Sequence, residues 1–340
     1  MTKLPLDRNH LSSRHRLSHQ QIDMLLGQKE SKENLPEKLK GLKLVSNFLQ
    51  LVDLLDAHHL EFLSFKGPLL SQLIYGDASV RISHDFDILI DPSDINRAHS
   101  LLNNNNFEVI YEIKWPQEAL RQKMLFEAIH HLGFRHKELG YMVEIHWTLV
   151  NESPISPKKL NRMVWSNTKT YEMYGRTIRS LNEEMLLAYL IIHGTKHGWQ
   201  RLKWLVDIKD FPLDKISEEN FKELCRMLNI QKAVAQTGAL LKTYFNFESH
   251  LFPTRKASSF LVNHSIKMVE NPIKEKLPVG EAIEDLKYKI WIFGGLSYKI
   301  RIISKQLIGI TDINNVSFKT RLAYILYRPY SFIKRRIYHA

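Results

Sequence analysis

The chain has 340 residues, 44% hydrophobic and 25% charged, with too little Gly and Pro for a fibrous or low-complexity protein, so it is globular and long enough for two units sharing an interface. Its single cysteine, Cys225, excludes an internal disulfide and a cysteine-based zinc cluster. No signal-like segment and no apolar run of about 18 residues occurs, and a reducing, cytoplasmic setting without a transmembrane segment is expected. The formal charge of +12 is uneven: residues 296–340 hold nine Lys/Arg against Asp312, a net +8.

In chain order, residues 1–40 read as a polar, partly helical lead-in, and Leu and Val then recur at helical spacing up to His59. A strand from Phe62 to Phe65 ends at Lys66-Gly67, where Pro68 suits the first turn of a helix reaching Tyr75. After a loop from Gly76 to His84, DFDILI is a second strand. A helix follows Asp91-Pro92-Ser93 and stops near Asn103 to Asn106, and a third strand starts at Phe107. Two more strands flank the Lys137–Gly140 turn, the second placing Val143, Ile145 and Trp147 on one face and Glu144, His146 and Thr148 on the other. The expected organisation is an α+β unit over 41–150, a connector over 151–180 and a helical unit over 181–340.

Asp85 and Asp87 alternate with apolar residues, so both carboxylates project from one strand face about 7 Å apart, while Phe86, Ile88 and Ile90 face inward. Two acids side by side repel unless a cation neutralises them, and a hard, oxygen-preferring ion such as Mg²⁺ suits them. Their company adds to this. The Lys66-Gly67 turn offers helix N–H groups and charge to an anion, Arg81 and Ser83 precede the acids, and Glu144 on a later strand supplies a third carboxylate for a two-metal site. His193, Lys196 and His197 share one face of a helix. The H-x-x-x-H spacing does not make a zinc protease motif, because no Glu lies between the two histidines. Met185 and Tyr189 read as core, and Cys225 as a small buried hydrophobe.

The run FLSFKGPLLSQLIYGDASVRISHDFDILI, with Lys66-Gly67 followed by Arg81-x-x-x-Asp85-x-Asp87, resembles the uncharacterised nucleotidyltransferase branch of the DNA polymerase beta-like superfamily. VEIHW at 143–147 and HGTKHGWQRLKWLVDI at 193–208 extend the resemblance over about residues 45–210. It implies a small mixed-sheet nucleotidyltransferase domain followed by a helical one, with the nucleotide between them. Asp85 and Asp87 would ligate Mg²⁺ ions that bind a nucleoside triphosphate, ATP in the first instance, and Glu144 would ligate or act as base, with His146 on its face. The acceptor would be a hydroxyl of an unidentified small molecule or protein. The Gly-Ser pair of many superfamily members is replaced by Lys66-Gly67-Pro68, leaving phosphate to backbone amides and Lys66. Lys196 either faces phosphate across the closing helix or sits in a polar helix contact with Asp207 and Trp204. Two other classes stay open: a nucleotide-binding scaffold without turnover, and a tRNA or RNA nucleotidyltransferase holding phosphate with the basic tail. That tail, with Tyr324, Tyr327 and Tyr330, suits RNA, an anionic membrane or an acidic partner, or is a solvated helix face packed by its aromatics.

Overall fold

The computed structural model describes residues 7–29, 34–110, 115–116, 118–274, 278–305, 312–313 and 316–338. Two short helices, α1 (Arg8–Ser13) and α2 (His19–Leu26), lead into the long α3 (Leu35–Ala57). Next come β1 (Phe62–Ser64), α4 (Gly67–Tyr75), β2 (Asp85–Ile90), α5 (Ile95–Asn104), β3 (Phe107–Val109), α6 (Ala119–Ala128), β4 (His131–His136) and β5 (Met142–His146). The five strands form one mixed sheet in the order β1-β2-β5-β4-β3, in which only the central β2/β5 pair is parallel.

The sequence alternation of β2 fixes what each sheet face does. Phe86, Ile88 and Ile90, with Val143 and Ile145 of β5, pack on Phe48, Leu51, Val52 and Leu55 of α3 and on Ala98 and Leu102 of α5. Each such side chain contributes roughly 1.5–3 kcal/mol through burial, so a one-residue slip of β2 would lose this face at once. The other face, carrying Asp87, Glu144 and His146, is thereby turned toward the second half of the chain.

That half begins with α7 (Pro157–Ser166) and a hairpin of β6 (Thr168–Met173) and β7 (Arg176–Leu181), both within the stretch expected as a connector. It continues through α8 (Glu183–Lys196), α9 (Leu202–Lys209), α10 (Glu218–Leu228), α11 (Gln231–Phe245), α12 (Ser259–Glu270), α13 (Val279–Ile292), α14 (Leu296–Lys305) and α15 (Arg321–Tyr338). One cluster of buried side chains joins α7 through α14 to Leu63, Phe65, Leu70 and Leu89 of the sheet region. It also includes Leu11, Leu17 and Ile22, so the lead-in helices contribute to the core. Among the described residues no helix is long and apolar enough to cross a membrane.

The basic tail is half packed. Tyr324 is buried with Ile313 against Met124 and Leu125 of α6, and its hydroxyl donates to the carbonyl of Val316 at 2.9 Å. The other side of α15 leaves Leu322, Leu326 and Tyr330 exposed.

Loop 77–84, which delivers the chain into β2, is tied from several directions. Ser18 Oγ donates to the Val80 carbonyl, the Arg81 N–H donates to Ser71 Oγ, and Lys203 Nζ donates to the Ile82 carbonyl at 2.5 Å. The Arg81 guanidinium is buried and forms a two-pronged pair with Asp207 of α9, Nε to Oδ1 at 2.8 Å and Nη2 to Oδ2 at 2.9 Å. Removing one partner of such a pair leaves an uncompensated buried charge. Asp207→Ala is therefore expected to cost about 3–5 kcal/mol in denaturant unfolding, and Arg81→Met/Asp207→Leu less than the single change. A cost below about 1 kcal/mol for Asp207→Ala would show that the pair does not hold the loop.

Candidate active site

The turn from β1 into α4 depends on Gly67, whose φ of +65° lies in the left-handed region that a side chain resists. The turn leaves Lys66 at the sheet edge, where its Nζ donates to Asp87 Oδ1 at 3.1 Å beneath the face of the Tyr189 ring, 5.4 Å from its centroid. Parallel pairing of β2 with β5 sets Asp87 directly beside Glu144. His146 Nε2 lies 3.2 Å from Asp87 Oδ1 and 3.3 Å from Glu144 Oε2, and His131 Nε2 lies 3.5 Å from Glu144 Oε1.

These groups open on a cleft of about 470 Å³ between the sheet face and helices α8 and α9. The three carboxylates, Lys66, Arg81, Ser83 and His146 line its sheet side, and His193, Lys196 and His197 its helical side. Gly67 stands at the start of α4 and is not part of the lining. Gly194 has no side chain, which lets the buried Trp199 ring of the turn after α8 pack directly on that helix, where a Cβ would clash with it. His193 and His197 pack edge to face, and Trp204 stacks on His197, so the α8 face combines ring packing with exposure to the cleft.

Arg81 departs from the sequence expectation in one respect. It lines the cleft, but its guanidinium is matched to Asp207, with Nη1 directed to Ser83 Oγ at 3.3 Å, because a buried cation needs a carboxylate partner. Several lining residues had no assigned role in the sequence. Lys203 comes from α9, Tyr189 is both core and cleft wall, and His130 and His131 flank the acids from the start of β4. The histidine doublet was visible, but only the β4/β5 register sets His131 opposite His146.

The neighbouring acids sit in opposite electrostatic states. Burial, followed by the charges of Asp87 and Glu144, pushes Asp85 up to about 6. Burial would also raise Asp87, but the Lys66 ammonium and the contact with His146 hold it well below the usual carboxylate range. Glu144 is lowered too, His146 outweighing its burial. On the helical side burial lowers Lys196 to about 8 and, with Arg81 beside it, Lys203 to about 7. Burial likewise depresses His131 to about 4 and His197 to about 3, which leaves their imidazoles neutral at neutral pH.

The donor set fits a divalent cation. Asp87, Glu144 and His146 can each offer an atom within 4.8 Å of the others, Asp85 carries charge that Lys66 and Lys203 only partly offset, and the buried Nδ1 of His146 lacks a hydrogen-bond partner.

The carboxylate cluster on adjacent strands faces Lys196 and Lys203 across the cleft. The family model for uncharacterised nucleotidyltransferases matches residues 31–246, and the chain belongs to that family. It is accordingly a nucleotidyltransferase. No curated protein searched matches the chain.

Asp85 gives a sign that can be tested. Its folded value lies above the model-peptide 3.8, so the stability linked to its protonated form is present below about pH 4 and lost as pH rises through about 6. In chelator at pH 8, Asp85→Asn is expected to stabilise the protein by up to roughly 3 kcal/mol, and the gain should vanish near pH 4. Thermal melts of both proteins across that range check this, and a difference independent of pH would show Asp85 to be an ordinary surface acid.

Proposed function

We propose that this nucleotidyltransferase moves a nucleoside monophosphate from a nucleoside triphosphate, ATP in the first instance, to a hydroxyl of a small molecule or protein, with Mg²⁺ held by Asp85, Asp87 and Glu144. The observation that carries the reading is the pairing of Asp87 with Glu144 on parallel neighbours, with Asp85 two residues away on the same strand. Bound there, the ions would supply charge neutralisation on the phosphates. The chain's own residues do the rest. Lys66 presents a cation from the sheet side of the cleft and Lys196 one from the opposite wall. In the transfer the acceptor oxygen forms a new bond to the α-phosphorus, the bond to the departing pyrophosphate breaks, and the hydroxyl proton passes to Glu144.

A second reading, nucleotide binding without turnover, has one observation in its favour. Lys66 and His146 already stand 3.1 and 3.2 Å from Asp87 Oδ1, where a cation would have to compete with them.

Transfer of label from α-labelled ATP, with and without Mg²⁺, separates the two. Turnover is expected to need Mg²⁺, to disappear in Asp87→Ala and to fall about 10²–10⁴-fold in Glu144→Ala, without loss of fold by circular dichroism. Tight ATP binding with no pyrophosphate release across a panel of hydroxyl acceptors would establish the second reading, and full activity in Asp87→Ala would overturn both.

A further inference from the structure

Beside the carboxylates the cleft carries a second kind of donor. His130 precedes β4, His131 opens it, and His146 closes β5 on the neighbouring strand. One ring nitrogen from each of the three lies within 4.8 Å of the others. The rings converge, with centroids 4.5 Å apart for His130–His131, 4.9 Å for His131–His146 and 5.3 Å for His130–His146.

Ring packing accounts for part of this, since Phe65 meets His146 edge to face at 5.2 Å. It does not account for the nitrogens. His146 is 2% exposed; its Nε2 faces Asp87 and Glu144, while its Nδ1 makes no hydrogen bond. An unsatisfied buried polar atom costs about 1–3 kcal/mol, so this ring gains from a further partner. Glu144 spans the same cluster, with Oε1 3.5 Å from His131 Nε2 and Oε2 3.3 Å from His146 Nε2.

Three imidazoles and a carboxylate are a donor set of different character from Asp85 and Asp87. Carboxylate oxygens suit Mg²⁺, whereas imidazole nitrogens select borderline transition ions such as Zn²⁺. A tetrahedral zinc site has metal–nitrogen distances of about 2.0–2.1 Å, so the present spacing needs inward movement of the rings, of which His130 and His131 are only half-buried. We propose that His130, His131 and His146, with Glu144, form a binding position for a zinc-class transition ion next to the carboxylates. The cleft then takes two unlike cations, a hard one on the aspartates and a borderline one on the imidazoles, with Glu144 between them. The proposal deepens the reading of the cleft given above and shares Glu144 with it, but it does not require turnover.

The test uses the full-length protein stripped with chelator and titrated with Co²⁺, whose visible d–d absorption reports ligand type and coordination number. One tightly bound Co²⁺ per chain is expected, displaced by an equivalent of Zn²⁺ and retained in a hundredfold excess of Mg²⁺. His131→Asn and His130→Asn should each weaken Co²⁺ binding at least tenfold and change the spectrum. Asp85→Asn should leave both within twofold while removing nucleotidyl transfer. Because the chain has 16 histidines, His193→Asn/His197→Asn is the control and should retain the wild-type spectrum. Circular dichroism confirms folding, and the half-buried His130 supplies a second variant should His131→Asn fail to fold. Displacement by Mg²⁺ as easily as by Zn²⁺, wild-type affinity in both single variants, or loss confined to the His193/His197 control would each overturn the proposal. Intact Co²⁺ binding in a protein that shows no transfer would instead count against the functional reading alone.

Discussion

The buried pair between Arg81 and Asp207 is the interaction on which the cleft depends. It joins the loop that enters β2 to helix α9, across 126 residues of sequence, and both charges are almost completely removed from water. Neither charge is tolerable there without the other. Paired with two parallel hydrogen bonds, they fix where β2 begins and so where Asp85 and Asp87 project. The Lys203 bond to the Ile82 carbonyl reinforces the same seam three residues before Asp85.

With that seam in place, the electrostatics of the site follow from the order of neighbours. Lys66 is close enough to neutralise Asp87 directly, whereas Asp85 is left to feel the carboxylates on either side of it. One strand thus presents a committed carboxylate and a frustrated one within a single two-residue repeat. The frustrated acid is where an added cation gains most, because it relieves a repulsion that the apo protein cannot relieve itself. His130 and His131, both lowered by burial, add neutral donors without adding to the positive charge of the lysines.

Much of this was legible in the sequence where the signal was local. The alternation in DFDILI gave β2 its bounds and its two faces, Pro68 marked the start of α4, and the Lys137–Gly140 turn separated β4 from β5. Glu144 could be placed on the polar face of its strand but not beside Asp87, because the parallel register of β2 and β5 is set by packing on α3 and α5 and leaves no mark in either strand. The β6/β7 hairpin lay inside the expected connector, although Tyr174-Gly175, both with positive φ, is a two-residue turn that the alternation on either side could have revealed. Arg81 looked like a phosphate ligand because its type and position suit one. Only the fold shows that Asp207 reaches it, and no spacing rule connects residues so far apart.

Arg14, at the start of the described chain, has a consequence for the order in which the protein takes shape. Its guanidinium donates to the carbonyls of Gln200, Met268 and Asn271, clasping the loop after α8 and the end of α12. Two of these carbonyls lie 254 and 257 residues further along the chain. Leu11, Leu17 and Ile22 share a buried cluster with Leu261 and Val269 of α12, so the packing of the lead-in helices is completed by contacts of long sequence separation, which form later than the local pairs of strands and helices. The cleft does not wait for this clasp, because its lining runs from Arg16 to Trp204, and the site can be assembled while the clasp is still open.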